Sequence, residues 1–121
     1  MSKVILTVDD SRTMRDMLKL ALTDARFTVL QAIDGVHGLE VLAGSRPDVI
    51  ITDINMPNLD GFGFIEGVRR SDRHATIPIL VLTTESDQEK KQRARQAGAT
   101  GWIVKPFDPV KLIDAVRRVA A

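Results

Sequence analysis

The chain has 121 residues, the length of one ordinary domain and too few for two domains with separate cores. It contains 17 Lys and Arg and 16 Asp and Glu, so the net charge of +1 favours neither nucleic-acid nor membrane binding. Cysteine is absent, and the apolar runs are far shorter than the roughly 20 residues of a spanning helix. We therefore expect one cytoplasmic domain over residues 1–121, without disulfides, membrane insertion, a nucleic-acid partner or a second folded domain.

The first predicted elements are a strand and an amphipathic helix. The aliphatic run from Val4 to Val8 is typical of a strand covered on both faces. Apolar residues then recur at helical spacing, and Ser11 is the candidate N-cap. The stripe that we expect to face the sheet is Met14, Met17, Leu18, Ala21, Leu22 and Ala25.

The middle of the chain continues the alternation of strands and helices. The β-branched and aliphatic runs from Thr28 to Ala32 and from Val49 to Thr52 predict the second and third strands. Weaker helical patterns fit Gly35 to Ala43 and Gly61 to Arg70.

The fourth unit pairs a hydrophobic strand with a very polar helix. Ile79 to Thr83 predicts the strand, and Asp87 to Gly98 predicts the helix, which Gly98 ends. Ala94 and Ala97 are the only apolar residues of this helix, so we expect it to pack loosely. It is either a solvated surface helix or an element that a switch can move.

The last unit begins with a short strand from Trp102 to Val104. The final helix opens after Asp108, with Pro109 in the first helical position, where proline is best tolerated. Its expected buried stripe is Val110, Ile113, Val116 and Ala120.

Five successive strand–helix units predict an α/β fold, a doubly wound parallel five-stranded sheet with helices on both faces. In such folds the functional site lies outside the carboxyl ends of the strands. The polar residues at those ends are therefore the candidate site residues.

Three carboxylates, a hydroxyl and an ammonium follow the predicted strands, contributed by Asp9, Asp10, Asp53, Thr83 and Lys105. Three carboxylates close together repel one another and need a cation. Oxygen-only ligands favour a hard ion, with Mg²⁺ as the first choice. Asp53 follows the central strand and is the candidate nucleophile toward phosphorus, while Lys105 and Thr83 can each hold a phosphoryl oxygen.

Other interpretations of the same residues exist. Taken singly, each carboxylate or hydroxyl could merely cap a helix or start a turn. A phosphoester hydrolase of the haloacid-dehalogenase kind also uses a strand-end Asp, but usually has an acid two residues later, where this chain has Asn55. A flavodoxin-like flavin binder is disfavoured because Asp9 and Asp10 would repel the phosphate. We expect His37 and His74, which lack second ligands at metal spacing, on the surface.

The chain resembles the receiver domains of two-component response regulators over essentially its whole length. Four motifs carry this resemblance: Val8-Asp9-Asp10-Ser11, Asp53-Ile54-Asn55-Met56-Pro57 with Asp60-Gly61 behind it, Leu82-Thr83-Thr84-Glu85, and Gly101-Trp102-Ile103-Val104-Lys105-Pro106-Phe107. The resemblance implies the flavodoxin-like strand order 2-1-3-4-5.

The resemblance also implies an active site. Asp53 would be phosphorylated, and Asp10, Asp53 and the backbone carbonyl of Asn55 would bind Mg²⁺, with Mn²⁺ as an alternative ion. Asp9 would assist through water. Thr83 and Lys105 would contact the phosphoryl group.

Further positions of the family imply regulation. Asn55 and Glu85 occupy positions that tune hydrolysis of the acyl phosphate, and the Lys105–Pro106 bond is typically cis in the family. Thr83 and Trp102 occupy the switch positions. Family members generally carry Tyr or Phe where this chain has Trp102, so the bulkier indole is a departure.

The implied function is that of a signalling switch rather than a classical enzyme. A histidine kinase would phosphorylate it, and output would pass through protein contacts, with the molecule expected to be a monomer. Similarity to single-domain chemotaxis regulators implies the chemotaxis kinase and the flagellar motor switch as partners. A phosphate-sink regulator or a phosphorelay intermediate would have nearly the same sequence features.

Overall fold

The computed structural model describes residues 2–84 and 88–120, which form five strands and five helices in alternation. In chain order these are β1 (Val4–Val8), α1 (Arg12–Asp24), β2 (Thr28–Ala32), α2 (Gly35–Ala43), β3 (Val49–Asp53), α3 (Gly61–Arg70), β4 (Ile79–Thr83), α4 (Gln88–Ala97), β5 (Gly101–Val104) and α5 (Pro109–Ala120). Every predicted element is present, and the boundaries differ by at most a residue. The predicted start of the fourth helix, Asp87, lies outside the described residues.

The sheet is parallel throughout, in the order β2-β1-β3-β4-β5, which confirms the predicted fold and strand order. Its register fixes the height at which each strand ends. Val8 is aligned with Thr52, so Asp9 and Asp53 follow at the same level on adjacent strands. Thr83 is aligned with Val104, so Lys105 comes directly after it on the neighbouring strand.

Two hydrophobic layers cover the sheet. The layer on one face contains α1 and α5, through Leu18, Leu22, Leu112 and Val116. The layer on the other face contains α2, α3 and α4, and its large fully buried side chains include Phe64 and Ile65 of α3. Because the strands are covered on both sides, their sequences are almost continuously apolar.

Two expectations about the helical stripes are wrong in detail. Met17 is 44% exposed and Val110 is 69% exposed. The buried stripe of α1 contains fewer residues than the sequence pattern predicts, namely Leu18 and Leu22. Successive residues turn by about 100° around a helix, so Met17 lies well away from Leu18.

His74 is a further correction, because it is buried rather than on the surface. Its two ring nitrogens lie 2.8 Å from the Ser71 hydroxyl and 2.9 Å from the Ser45 carbonyl oxygen. These hydrogen bonds replace those that the imidazole would make with water. They therefore offset the free-energy cost of burying this polar ring. His37 is half-buried, and its Nδ1 accepts a hydrogen bond from the Ile33 backbone N–H.

Candidate functional site

The structure brings four of the predicted residues together at the carboxyl ends of the strands. Lys105 Nζ lies 3.1 Å from Asp53 Oδ2 and 3.5 Å from Asp9 Oδ2. Asp9, Asp10 and Asp53 each offer a carboxylate oxygen within 4.8 Å of the others. Residues far apart in the chain therefore form one polar centre, as the strand-end pattern predicted.

Backbone groups hold the two innermost carboxylates in place. The Ile54 N–H donates to Asp53 Oδ1 over 2.8 Å, while Lys105 binds the other oxygen. The Ser11 N–H donates to Asp9 Oδ1 over 2.9 Å. Each carboxylate is thus oriented before any ligand arrives, which lowers the reorganisation needed for chemistry.

The glycine that begins α3 brings that helix close to Asp53. A Cβ at Gly61 would meet the Asp53 carbonyl oxygen and lie 2.8 Å from the Cα of Ile54. The Gly61 N–H donates to the Ile54 carbonyl over 2.8 Å. This close approach explains why Asp60-Gly61 belongs to the motif that follows Asp53.

The carboxylates differ sharply in burial. The side chains of Asp9 and Asp53 are 1% and 12% exposed, whereas Asp10 is exposed. Burial raises the pKa of Asp9 above its usual value, and the Asp53 charge adds to the rise. The Ser11 N–H and Lys105 act in the opposite direction on that pKa. Ionised Asp9 is therefore in an unfavourable environment that added positive charge would improve.

The donor set fits a hard divalent cation. All three clustered side chains offer carboxylate oxygens, and the single ammonium of Lys105 faces two of them. Oxygen ligands with unbalanced negative charge are the chemistry that Mg²⁺ prefers. Asp9, Asp10 and Asp53 could therefore hold a metal ion.

Thr83 ends β4 on the face of the sheet that also carries Trp102. Side chains alternate along β4, so Thr83 shares a face with Val81, and Val81 is aligned with Trp102. Thr83 is buried, and its carbonyl accepts a hydrogen bond of 2.8 Å from the Lys105 backbone N–H. The switch candidate Thr83 thus connects directly to the site.

Trp102 is half-buried against the core layer beneath α4. Two cations of α4 lie over its ring, with Lys91 Nζ 5.0 Å and the Arg95 guanidinium carbon 5.1 Å from the ring centroid. Both distances fall within the range of a cation–π interaction. The position of Trp102 and the position of α4 are therefore coupled.

The remaining predicted residues surround this centre. Asn55 is exposed, two residues beyond Asp53. The peptide bond between Lys105 and Pro106 is cis, the isomer that the resemblance implied. Glu85, the other position predicted to tune hydrolysis, lies outside the described residues.

Arg15 supports the site at Asp9, and the sequence pattern did not identify this role. Its Nη1 donates to the backbone carbonyl of Asp9 over 2.8 Å, which ties α1 to the end of β1. A cation one turn after a candidate N-cap was the available signal, but spacing alone does not show which carbonyl it reaches.

Comparison with known proteins is consistent with this geometry. Residues 5–117 match the response regulator receiver domain family. The chain is a response regulator receiver domain. It is 36% identical over 116 residues to the chemotaxis protein CheY of Pseudomonas aeruginosa, covering 95% of this chain and 94% of that protein.

Solved structures share both the fold and the sequence of this receiver domain. The chemotaxis response regulator CheY4 of Vibrio cholerae is 44% identical, with a TM-score of 0.95 over 98% of this chain and 99% of the other. A receiver domain of a Pseudomonas aeruginosa sensor histidine kinase is 25% identical, with a TM-score of 0.93 over 99% and 98% of the two chains. That structure has magnesium coordinated in its active-site cleft.

Other relatives are much longer than this receiver domain. The DNA-binding regulator RpaA of Synechocystis is 34% identical over 113 residues, which cover 93% of this chain but 47% of RpaA. The Helicobacter pylori kinase CheAY is 32% identical, and the match covers 15% of it. Family membership therefore leaves the output partner open. Within the described residues, no helix is long and apolar enough to cross a membrane.

Proposed function

We propose that this receiver domain is a phosphorylation-controlled switch that accepts a phosphoryl group on Asp53 from the phosphohistidine of a kinase. The observation that carries this proposal is the arrangement around Asp53. One carboxylate oxygen accepts a backbone N–H, and the other lies 3.1 Å from Lys105 Nζ, beside two further carboxylates. This arrangement supports Asp53 as the nucleophile, beside a cation that can stabilise a phosphoryl oxygen.

In the proposed transfer, an Asp53 carboxylate oxygen forms a bond to phosphorus as the phosphorus–nitrogen bond of phosphohistidine breaks. The electron pair of that bond stays on the imidazole nitrogen, and Asp53 becomes an acyl phosphate. Lys105 then moves its contact from the carboxylate to a phosphoryl oxygen. Asp9, Asp10, Asp53 and the Asn55 carbonyl would hold Mg²⁺, and the bound ion would neutralise negative charge on the phosphoryl oxygens.

The signal would pass from Asp53 to the surface through Thr83 and Trp102. A new phosphoryl group gives the Thr83 hydroxyl an acceptor, and Thr83 shares its face of the sheet with Trp102. Because α4 contacts the Trp102 ring through Lys91 and Arg95, the two surfaces would change together. Phosphorylation would then shift an equilibrium that already exists in the free protein.

The proposed setting is cytoplasmic bacterial chemotaxis, with the chemotaxis kinase as donor and the flagellar motor switch as target. CheY is matched over 94% of its length and CheY4 over 99% of its chain, and both are chemotaxis proteins. A phosphate-sink or phosphorelay role uses the same Asp53 chemistry. Phosphorylation-dependent binding to motor-switch peptides favours the first role, and its absence favours the others.

The phosphorylation test uses acetyl phosphate with and without Mg²⁺, followed by intact mass. We expect a labile gain of one phosphoryl group that EDTA prevents and Asp53→Asn abolishes. Asp60→Asn is the matched control, because Asp60 is a nearby N-cap and asparagine caps equally well. An adduct that persists in Asp53→Asn, or none in the wild type with any donor, contradicts the proposal.

The switch test uses beryllofluoride with Mg²⁺ and the fluorescence of Trp102, the only tryptophan. We expect quenching or a spectral shift in the wild type and no response in Asp53→Asn. An unchanged wild-type spectrum, with binding shown independently by calorimetry, contradicts a moving indole.

A further inference from the structure

A second polar cleft lies between α3 and α4. It has a volume of about 490 Å³ and is lined by Glu66, Arg69, Arg70, Arg93, Gln96 and Ala97. This volume falls within the range typical of small-molecule sites. None of the strand-end residues lines it, so the cleft is separate from the site around Asp53.

The cleft carries an excess of positive charge. Three arginines line it against the single carboxylate of Glu66. Within residues 2–84 and 88–120, no carboxylate lies within ion-pair distance of any of these arginines. Guanidinium groups gathered in this way repel one another, and an anion between them would be attracted by all three.

Arg69 is held rigidly in the wall of the cleft. Its Nε donates to the Gly98 carbonyl over 2.9 Å, and its Nη1 donates to the carbonyls of Ala75 and Ile77 over 3.0 and 2.7 Å. Nη2 has no hydrogen-bond partner in the described part of the chain. The two N–H groups of Nη2 are therefore available to a ligand. Because the Arg69 side chain is already ordered, binding would cost little side-chain entropy.

Arg93 is fixed in a different way, from the opposite wall. Its guanidinium carbon lies 4.2 Å from the centroid of the buried Phe62 ring. Stacking on an aromatic face leaves the N–H groups at the guanidinium edge free to bind planar anions such as phosphate or carboxylate. Arg70, in the last turn of α3, adds an exposed guanidinium.

We propose that this α3–α4 cleft binds a small molecule that carries a diphosphate group. Arginine forks match phosphate oxygens, and three arginines against one glutamate suit a multiply charged anion better than a monoanion. The same group occurs in inorganic pyrophosphate and in nucleoside diphosphates, and the volume admits either. An acidic peptide would use the same charge and is the alternative that the test must exclude.

A bound diphosphate would add a link between two helices that already touch through Arg93 and Phe62. Arg69 and Arg70 belong to α3 and Arg93 to α4, while Ala94 is the only buried residue of α4. The ligand would therefore hold α4 against α3. Because ligand binding stabilises the state that binds, we expect the thermal midpoint to rise with ligand concentration.

The test is calorimetric titration of the full chain in EDTA, which removes Mg²⁺ and so separates this cleft from the Asp53 site. Pyrophosphate and ADP are the two diphosphate probes, and adenosine and polyglutamate test the alternatives. We expect saturable one-to-one binding of one or both diphosphates and none of adenosine. Asp53→Asn should bind equally well, so this result is independent of the proposed phosphorylation.

Variants locate the binding. We expect Arg93→Gln and Arg70→Gln each to weaken diphosphate binding by about tenfold or more, as for the loss of a charge-assisted hydrogen bond. Arg118→Gln is the control, because Arg118 is exposed on α5, which covers the other face of the sheet. Arg69 is not varied, because it also supports the backbone.

Three outcomes would overturn the proposal. The first is no saturable binding of either diphosphate at millimolar concentration. The second is an equal loss in Arg118→Gln, which would show attraction to general surface charge. The third is tight binding of polyglutamate alone, which would identify a peptide surface instead.

Discussion

The two helices that flank the last strand are attached to the sheet in opposite ways. Helix α5 buries Leu112 and Val116 completely in its hydrophobic layer. Helix α4 buries only Ala94, and cations on its surface lie over the aromatic rings of Trp102 and Phe62 instead. Burial of large apolar side chains contributes several times more free energy than exposed cation–π contacts. We infer that α5 is fixed and that α4 can shift at low cost.

Shortening a buried side chain of α5 should have the largest effect. Leu112→Ala is expected to lower the free energy of unfolding by about 2–5 kcal/mol, because a fully buried leucine leaves a cavity. Val110→Ala, on the same helix but 69% exposed, should change it by no more than about 0.5 kcal/mol. Urea denaturation measures both. Equal losses in the two variants would mean that α5 is not anchored through its buried stripe.

The turn after α4 provides the next largest effect. Gly98 has a φ of 116°, and a Cβ there would lie 2.7 Å from Arg69 Cγ. Gly98→Ala should therefore destabilise the protein by about 1–3 kcal/mol, through backbone strain and displacement of Arg69.

Gly44 supplies the matched control for that substitution. It ends α2 with a φ of −109°, and a Cβ there would meet nothing within 4 Å. Gly44→Ala should be neutral or stabilising by up to about 1 kcal/mol, because alanine restricts the unfolded chain. Similar losses at both positions in urea denaturation would contradict a special role for the turn at Gly98.

The sequence predicted the apolar parts of this molecule better than the polar anchors. Strands covered on both faces have continuous apolar runs, and Asp9, Asp53 and Lys105 each follow such a run, so their convergence could be inferred. Arg69 and His74 could not be placed in this way. They bind backbone carbonyls such as those of Gly98 and Ser45. Every residue has a backbone carbonyl, so the sequence does not indicate which one accepts the hydrogen bond.

Asp34 is a buried polar residue on the face of the sheet that carries α4. We expect its contribution to stability to be smaller than that of Gly98 and to depend on pH. It caps α2 by accepting from the His37 N–H, and Asn58 Nδ2 donates to its other oxygen over 2.8 Å. The His37 N–H, followed by the Asn58 amide, lowers the pKa of Asp34 below its usual value. The stability contributed by ionised Asp34 is fully present above its ordinary pKa. It is lost as the pH falls through the lowered pKa of the folded protein.

Urea midpoints measured against pH test this anchor. Asp34→Asn should be less stable than the wild type at neutral pH, because its amide cannot accept both hydrogen bonds. The difference should shrink in acid. Asp16→Asn is the control, because Asp16 is exposed and its 4.0 Å contact with Arg12 is a weak surface pair. A gap between wild type and Asp34→Asn that is constant down to the most acidic measurable pH would contradict the charge effect.

The smallest expected effect tests the attachment of α4 itself. Lys91→Gln and Arg95→Gln should each lower stability by only about 0.5–1 kcal/mol, the value of an exposed cation–π contact. Together they should nevertheless make Trp102 more accessible to acrylamide and speed hydrogen exchange in α4 but not in α5. Lys19→Gln, on exposed α1 surface, should leave both readouts unchanged. If quenching of Trp102 stays the same in the double variant, the indole is held by the core beneath it rather than by α4, and movement of α4 would not require movement of Trp102.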